Sequence, residues 1–564
     1  MSHPLKQNTA RLAMLVACVA VFLTALDQTV VVTALPQIIQ DLQITPLQLD
    51  HAAWIVSGYL LGYVIVMPLM GRISDIYGRR WVFVICLSIF ALGSLFCALS
   101  PMLGDNYDIS FLQNIGIDVS SPGLVWLVAA RFIQAAGGGA VVPVAMAISG
   151  DFYSYKQRAF VLGLVGMVTE TGGVLGPLYG ALIVQYLGWQ YIFYLNLPII
   201  GILLFFIIRF IPTSSIMAES DRSNKRIDML GALLLGASLV CLSLGLAQEA
   251  AQITPTTLRA QQSLSQNNPW LIVAALILLV AFIALEIYME RRGHGPIITL
   301  SLFKRAQFSA TSMMSFLVGT ALIIAMVNIP FFFLTVFNQS STASGLALLR
   351  LTALIPIGAL IGGRLCSRFT CRWTAVLGLL PTVLGFWLMH NWTMQIDWTQ
   401  ITISTMLTGF GLGLVIAPIS TTAINAASKH QLGMASSVVT VLRMIGMICG
   451  LAALTSWGLG RFRAQMTAFK LPPSATTPGT EVAAYAHYII STAHDIYASI
   501  FLVGGILCLI ALLPALFLEG SKNSSTFVHT TNGNDGVDSD HPQEVDSYSQ
   551  QKNEASTIHE QRKK

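Results

Sequence analysis

The sequence predicts an all-α polytopic membrane protein, and three observations carry that expectation. Of its 564 residues 54% are hydrophobic and only 10% charged, with a mean hydropathy of +0.69, whereas a soluble chain carries about 25% charged residues. Apolar runs of about 18 residues or more recur along it, each able to cross a hydrocarbon core roughly 30 Å thick. Lysine and arginine gather in alternate connections between those runs, the pattern that orients helices in a bilayer. The net charge of +5 is dispersed along these connections, which argues against nucleic acid as a partner. Of eight cysteines, Cys18, Cys86, Cys97, Cys241, Cys449 and Cys508 fall inside apolar runs as small packing residues. Cys366 and Cys371 flank a loop, so the sequence shows no disulfide framework and no metal spacing. No cofactor is expected.

Taken in order, the runs give fourteen spans, at about 12–35, 52–70, 81–100, 123–149, 158–184, 189–211, 229–247, 270–289, 308–336, 346–366, 373–390, 399–426, 434–458 and 497–518. The first is too long for a cleavable signal and lacks a small-residue cleavage site. Seventeen lysines and arginines lie in connections after even-numbered spans. Only Arg259, Arg461, Arg463 and Lys470 follow odd-numbered ones. This bias places both termini in the cytoplasm. Because three of the four exceptions follow span 13, the region 459–496 is expected to hold a membrane-surface helix. The polar loops 101–122 and 250–269 then lie outside, the first carrying Asp105, Asp108 and Asp118. The composition of 519–564 is that of a disordered tail.

Between spans 2 and 3 runs Gly71-Arg72-Ile73-Ser74-Asp75-Ile76-Tyr77-Gly78-Arg79-Arg80, read as a short cytoplasmic hairpin that gates the path. Gly71 and Gly78 permit close helix approach and a sharp turn. Arg79 and Arg80 hold the loop inside. Asp75 stands within reach of a neighbouring helix N-terminus or a basic group. A weaker copy, 363–372, matches at Gly363, Arg364 and Arg372 but has Ser367 where the first has Asp75. Its place predicts a 6+2+6 plan: a six-helix bundle in 1–211, a linker with two extra helices in 212–307, a second bundle in 308–518, and the tail 519–564.

Charged residues inside spans are costly and point to function. Asp27 stands mid-span on a face with Ala20, Thr24, Val31 and Ala34, a set that suits a cavity wall. It is either a proton-coupling carboxylate or a structural partner for an arginine. Arg131 and Gln134 share a face with Gly138. Arg131 cannot release its proton, so it biases a carboxylate, orders water, holds an anionic group, or is structural. In span 5, Gly172, Gly176 and Gly180 form a ridge for a close neighbour, and Pro177 bends the helix. Glu170 faces away from that ridge, either as a second titrating or substrate-contacting group or as an ion-paired acid. Arg443 shares a face with Ser436, Thr440 and Gly450. Arg350 is read as snorkelling outward. Glu286 and Glu290 are read as interfacial partners of Arg291 and Arg292.

These motifs resemble the major facilitator superfamily and, within it, the fourteen-span drug/proton antiporter family. The hairpin 71–80 resembles its helix 2–3 loop, and Leu26-Asp27-x-Thr29-Val30-Val31 with Ala34-Leu35-Pro36 its helix 1. Arg131-x2-Gln134-x2-Gly137-Gly138 resembles helix 4. The pattern 163–180 with Trp189-Gln190-Tyr191 and Asn196-Leu197-Pro198 resembles the antiporter motif and helix 6. Gly409-x-Gly411-x-Gly413 and Arg443-x2-Gly446-x3-Gly450 resemble helices 12 and 13. Ile76, Ala181 and Arg350 depart from the pattern.

The resemblance implies two six-helix bundles plus two central helices, and alternating-access export of organic or amphipathic compounds in exchange for protons. Some relatives work with a periplasmic adaptor and an outer-membrane channel. Export of one endogenous siderophore- or lipid-like metabolite, or import, is the other transport reading. A membrane sensor or enzyme would need a clustered site, for which His487 and His494 are the nearest candidates.

Overall fold

The computed structural model describes residues 7–43, 49–107, 121–210, 228–250, 269–292, 296–339, 341–428, 431–467 and 478–518. The expectations for most of the loops 101–122 and 250–269, and for the tail 519–564, fall outside these residues. The described residues form seventeen α-helices: α1 Gln7–Asp41, α2 Leu49–Tyr77, α3 Arg79–Asn106, α4 Pro122–Gly138, α5 Val141–Phe152, α6 Tyr155–Tyr186, α7 Gln190–Tyr194, α8 Asn196–Phe210, α9 Met229–Ala250, α10 Pro269–Arg291, α11 Ala306–Thr335, α12 Ser341–Thr352, α13 Leu354–Arg368, α14 Cys371–His390, α15 Trp398–Ala426, α16 Leu432–Thr467 and α17 Pro478–Ala515. Helix suits a bilayer because it satisfies every backbone donor and acceptor within one segment. Among the described residues twelve helices are long and apolar enough to cross a membrane. The other two expected spans, 52–70 and 229–247, lie on α2 and α9, and the apolar part of α9, Leu230–Leu242, is shorter.

Helices α1–α8 pack on one another, as do α11–α17, and the pair α9–α10 leans on α2 and α16. The two bundles have different cores. The second buries an aromatic cluster in which Trp392 stacks edge-on against Phe332, Phe333 and Phe501. The first buries Asp27, Ser94, Arg131, Gln134 and Asn196 in its interior.

Several boundaries differ from the sequence expectation. The hairpin 71–80 is almost entirely helical: α2 continues to Tyr77, α3 begins at Arg79, and only Gly78 turns the chain, at φ 92°. Glycine alone enters that region without steric cost. The span 123–149 is broken after the triplet Gly137-Gly138-Gly139, a run of poor helix formers. The span 346–366 breaks at Ala353 just ahead of Pro356, whose ring opposes the preceding turn. Among the described residues of 459–496 there is no separate surface helix: α16 continues unbroken to Thr467 and α17 begins at Pro478. Their 36 and 38 residues correspond to about 54 and 57 Å at 1.5 Å per residue, well beyond a core of roughly 30 Å. The Tyr488 hydroxyl donates to the Gln465 carbonyl at 3.0 Å, tying the overhanging ends together. Contrary to the expectation of no disulfide, Cys366 and Cys371 are joined, with Cα atoms 4.4 Å apart across the α13–α14 turn.

Candidate functional site

Three charged constellations stand out, one inside the first bundle and two between the bundles. The deepest is in the first bundle. Asp27 of α1 accepts from Arg131 Nη1 of α4 at 2.7 Å through one carboxylate oxygen. Through the other it accepts from Gln134 Nε2 and Asn196 Nδ2, each at 3.0 Å. Arg131 also donates to Gln134 Oε1 at 2.6 Å, and Gln134 donates to Ser94 at 2.8 Å. The guanidinium lies 4.0 Å from the Tyr59 ring centroid, close enough for a cation–π attraction. Asp27 and Arg131 are each 1% exposed; the hydrogen bonds to Gln134 and Asn196 offset part of the cost of burying the pair, while the Arg131 Nε is left without a partner among the described residues. The expectation that the Asp27 face lines a cavity is corrected: Ala20, Thr24, Val31 and Ala34 are all fully buried in the bundle. Sequence reasoning missed Ser94 as a partner and placed Asn196 only as part of a helix-6 motif; as an amide in an apolar helix, Asn196 carried the signal.

The second constellation joins the bundles. Glu170 Oε1 of α6 accepts from Arg443 Nη1 of α16 at 3.1 Å, with side chains 18% and 21% exposed. The two line a central cavity whose other walls include Met146, Ile416, Ile419 and Val439 with Ser315 and Ser420. Glu170 reaches it because Gly172, Gly176 and Gly180 occupy the opposite face of α6, against Ala25, Thr29 and Thr33 of α1. Pro177 lies inside a helix that remains uninterrupted.

The third constellation is the 71–80 motif. Asp75 accepts from the amides of Gly433 and Met434, both at 2.9 Å. These are orphan donors of the first turn of α16, where the helix dipole also favours a negative charge. Arg79 is not a solvated loop residue. It is 5% exposed and bonds Asp75, Ser74 at 2.6 Å and Asp151 at 3.2 Å. Arg80 lies 5.7 Å from the Trp81 ring centroid. Gly71 makes this contact possible: a Cβ there would stand 2.6 Å from the Gly433 carbonyl oxygen. On the same face Arg158 of α6 donates to Asn425 of α15 at 2.9 Å. The bundles are therefore fastened at the motif face.

A test follows from this geometry. Asp75→Ala removes two bonds to a charged acceptor, each worth roughly 1.5–3 kcal/mol. The closed motif face is expected to lose at least about tenfold in population, read as faster labelling of cysteines placed on α2 and α16 near the contact. Unchanged labelling would show that Asp75 does not hold this face shut.

Two helical bundles closed at one face, with a charge lock over a central cavity, define a transporter rather than an enzyme. The Major Facilitator Superfamily profile matches residues 17–310 and 311–539, and the chain belongs to that family. It is 33% identical over 539 residues to a triacylglyceride transporter of Mycolicibacterium hassiacum, covering 92% of this chain and 93% of that one. It is likewise 33% identical over 526 residues to a triacylglyceride transporter of Mycobacterium tuberculosis, covering 91% and 95%. Among solved structures, the proton:xylose symporter XylE superposes with a TM-score of 0.58 at 13% identity over 92% of this chain and 98% of that one. The human organic anion transporter MFSD10 superposes with a TM-score of 0.55 at 17% identity over 88% and 99%. At such identities these two show the shared fold alone.

Proposed function

We propose that this protein exports a triacylglyceride-like lipid from the cytoplasmic membrane in exchange for protons, by alternating access, with both termini and the motif face in the cytoplasm. The observation that carries the reading is the Glu170–Arg443 pair: one carboxylate and one arginine, half-buried, bridging the bundles in a cavity with largely apolar walls. The names of the relatives support the lipid, and the apolar lining suits acyl chains. A proton on Glu170 cancels the charge that holds Arg443, releasing α16 from α6. Asp27 offers the same exchange in the first bundle, where Gln134 and Asn196 remain to bond a neutral carboxyl. Each proton crossing 100 mV supplies about 2.3 kcal/mol.

The experiment is reconstitution in vesicles with a fluorescent triacylglyceride analogue and an imposed pH gradient. Lipid movement is expected to follow the gradient and to stop with an uncoupler. Asp27→Asn is expected to reduce the gradient-driven component to background while leaving insertion intact. Equal movement with and without the gradient would sink proton exchange. Movement of soluble amphipathic drugs but not of the lipid would instead support multidrug export.

A further inference from the structure

Glu286 and Asp228 form an acidic pair that the transport site does not use. The sequence reading placed Glu286 with Arg291 and Arg292 at the membrane interface; the structure turns it inward. Glu286 is fully buried on α10, and Asp228, at the start of α9, is 5% exposed. Asp228 Oδ1 caps α9 by accepting from the Gly231 amide at 2.8 Å. Asp228 Oδ2 and both oxygens of Glu286 accept no hydrogen bond. The backbone amides of Ile297 and Ile298 point toward Glu286 but fall short of hydrogen-bond geometry. No ion pair among the described residues includes either acid.

The two carboxylates converge above Gly231. A Cβ there would lie 2.4 Å from Asp228 Oδ2 and 3.2 Å from Glu286 Oε1. The oxygens are thus within the roughly 6 Å over which one carboxylate opposes ionisation of another. From α2 and α16, Ile65, Met67, Val441 and Ile445, with the tyrosines Tyr59 and Tyr63, belong to the cluster that packs against Leu235, Leu239 and Phe282 of α9 and α10. Glu290, one turn on, adds a third acid and is bonded to the Ser301 amide at 3.2 Å. Arg291 and Arg292 are exposed. Two uncompensated charges are not stable in such surroundings.

We propose that Glu286 and Asp228 are a proton-binding site, in which one proton is shared between Glu286 and Asp228 Oδ2. The asymmetry is fixed by the cap: Asp228 Oδ1 is already held by the Gly231 amide at the start of α9, whereas neither oxygen of Glu286 has a partner among the described residues, so Glu286 carries the shared proton. The site reports to the motif face. Glu286 neighbours Ile297 and Ile298, and the amide of Thr299, the next residue, meets Met434 Sδ at 3.2 Å. Met434 donates its own amide to Asp75. A deprotonated Glu286 draws water or the 296–299 segment toward itself and loosens that contact.

The test is difference infrared spectroscopy of the full-length protein across a pH titration. The wild type is expected to show a protonated-carboxyl band at pH 7. Glu286→Gln, isosteric with the protonated acid, should lose one carboxyl equivalent per protein while melting like the wild type. Asp228→Asn should shift the frequency of that band. The same band at full strength in Glu286→Gln would overturn the proposal. So would a wild-type band that responds to added calcium or magnesium at fixed pH, which would assign the pair to a metal ion. Should the variants fail to fold, a wild-type spectrum in which no protonated carboxyl titrates would still refute it.

Discussion

Replacing Arg443 with leucine is expected to lower gradient-driven lipid movement at least tenfold, with the protein still inserted and folded. The charge-assisted bond to Glu170 contributes roughly 1.5–3 kcal/mol, reduced by the partial exposure of both side chains. It is also the one link among the three constellations placed where substrate would pass. Glu170→Gln should match the loss, since an amide neither releases a proton nor holds the guanidinium as an ion pair. The double variant should be no worse than either single one, because both remove the same link. Wild-type rates in all three would remove the lock from the mechanism.

Arg131→Met is expected to act on stability rather than on gating. It strands Asp27 in a fully buried site, and loss of one partner of a buried ion pair costs about 3–5 kcal/mol. Thermal unfolding of the purified protein should begin at a clearly lower temperature. Adding Asp27→Asn to that variant should restore most of the loss, because the amide carries no charge to strand. If Arg131→Met melts like the wild type, Asp27 is already neutral in this conformation.

Helices were legible in the sequence because a bilayer leaves the backbone few alternatives. Asp27, Arg131, Gln134, Glu170 and Arg443 were legible as costly polar groups in apolar runs. Their pairing was not: Glu170 and Arg443 are 273 residues apart, and no local pattern says which arginine meets which acid. Asn196 and Ser94 are uncharged and leave a weak trace. Glu286 was misread because it lies near arginines in the chain, whereas its helix face turns toward Asp228. The 71–80 motif was read as a loop because its residues are polar, yet those residues face a partner helix and stay helical. The overhangs of α16 and α17 were missed for a related reason. Hydropathy reports the surrounding solvent, not where a helix stops.

The unbroken length of α16 makes it a lever. Its first turn is held by Asp75, Arg443 lines the cavity further along the same helix, and its last turns extend on to Thr467. A tilt of about 10° pivoting at Arg443 would carry Gly433 about 3 Å and Thr467 about 6 Å the other way, at 1.5 Å per residue. The first displacement breaks both amide bonds to Asp75; the second sweeps the far tip sideways by more than an atom's width. Release at one end and movement at the other are then a single stroke of one rigid part, amplified about twofold by where the fulcrum lies.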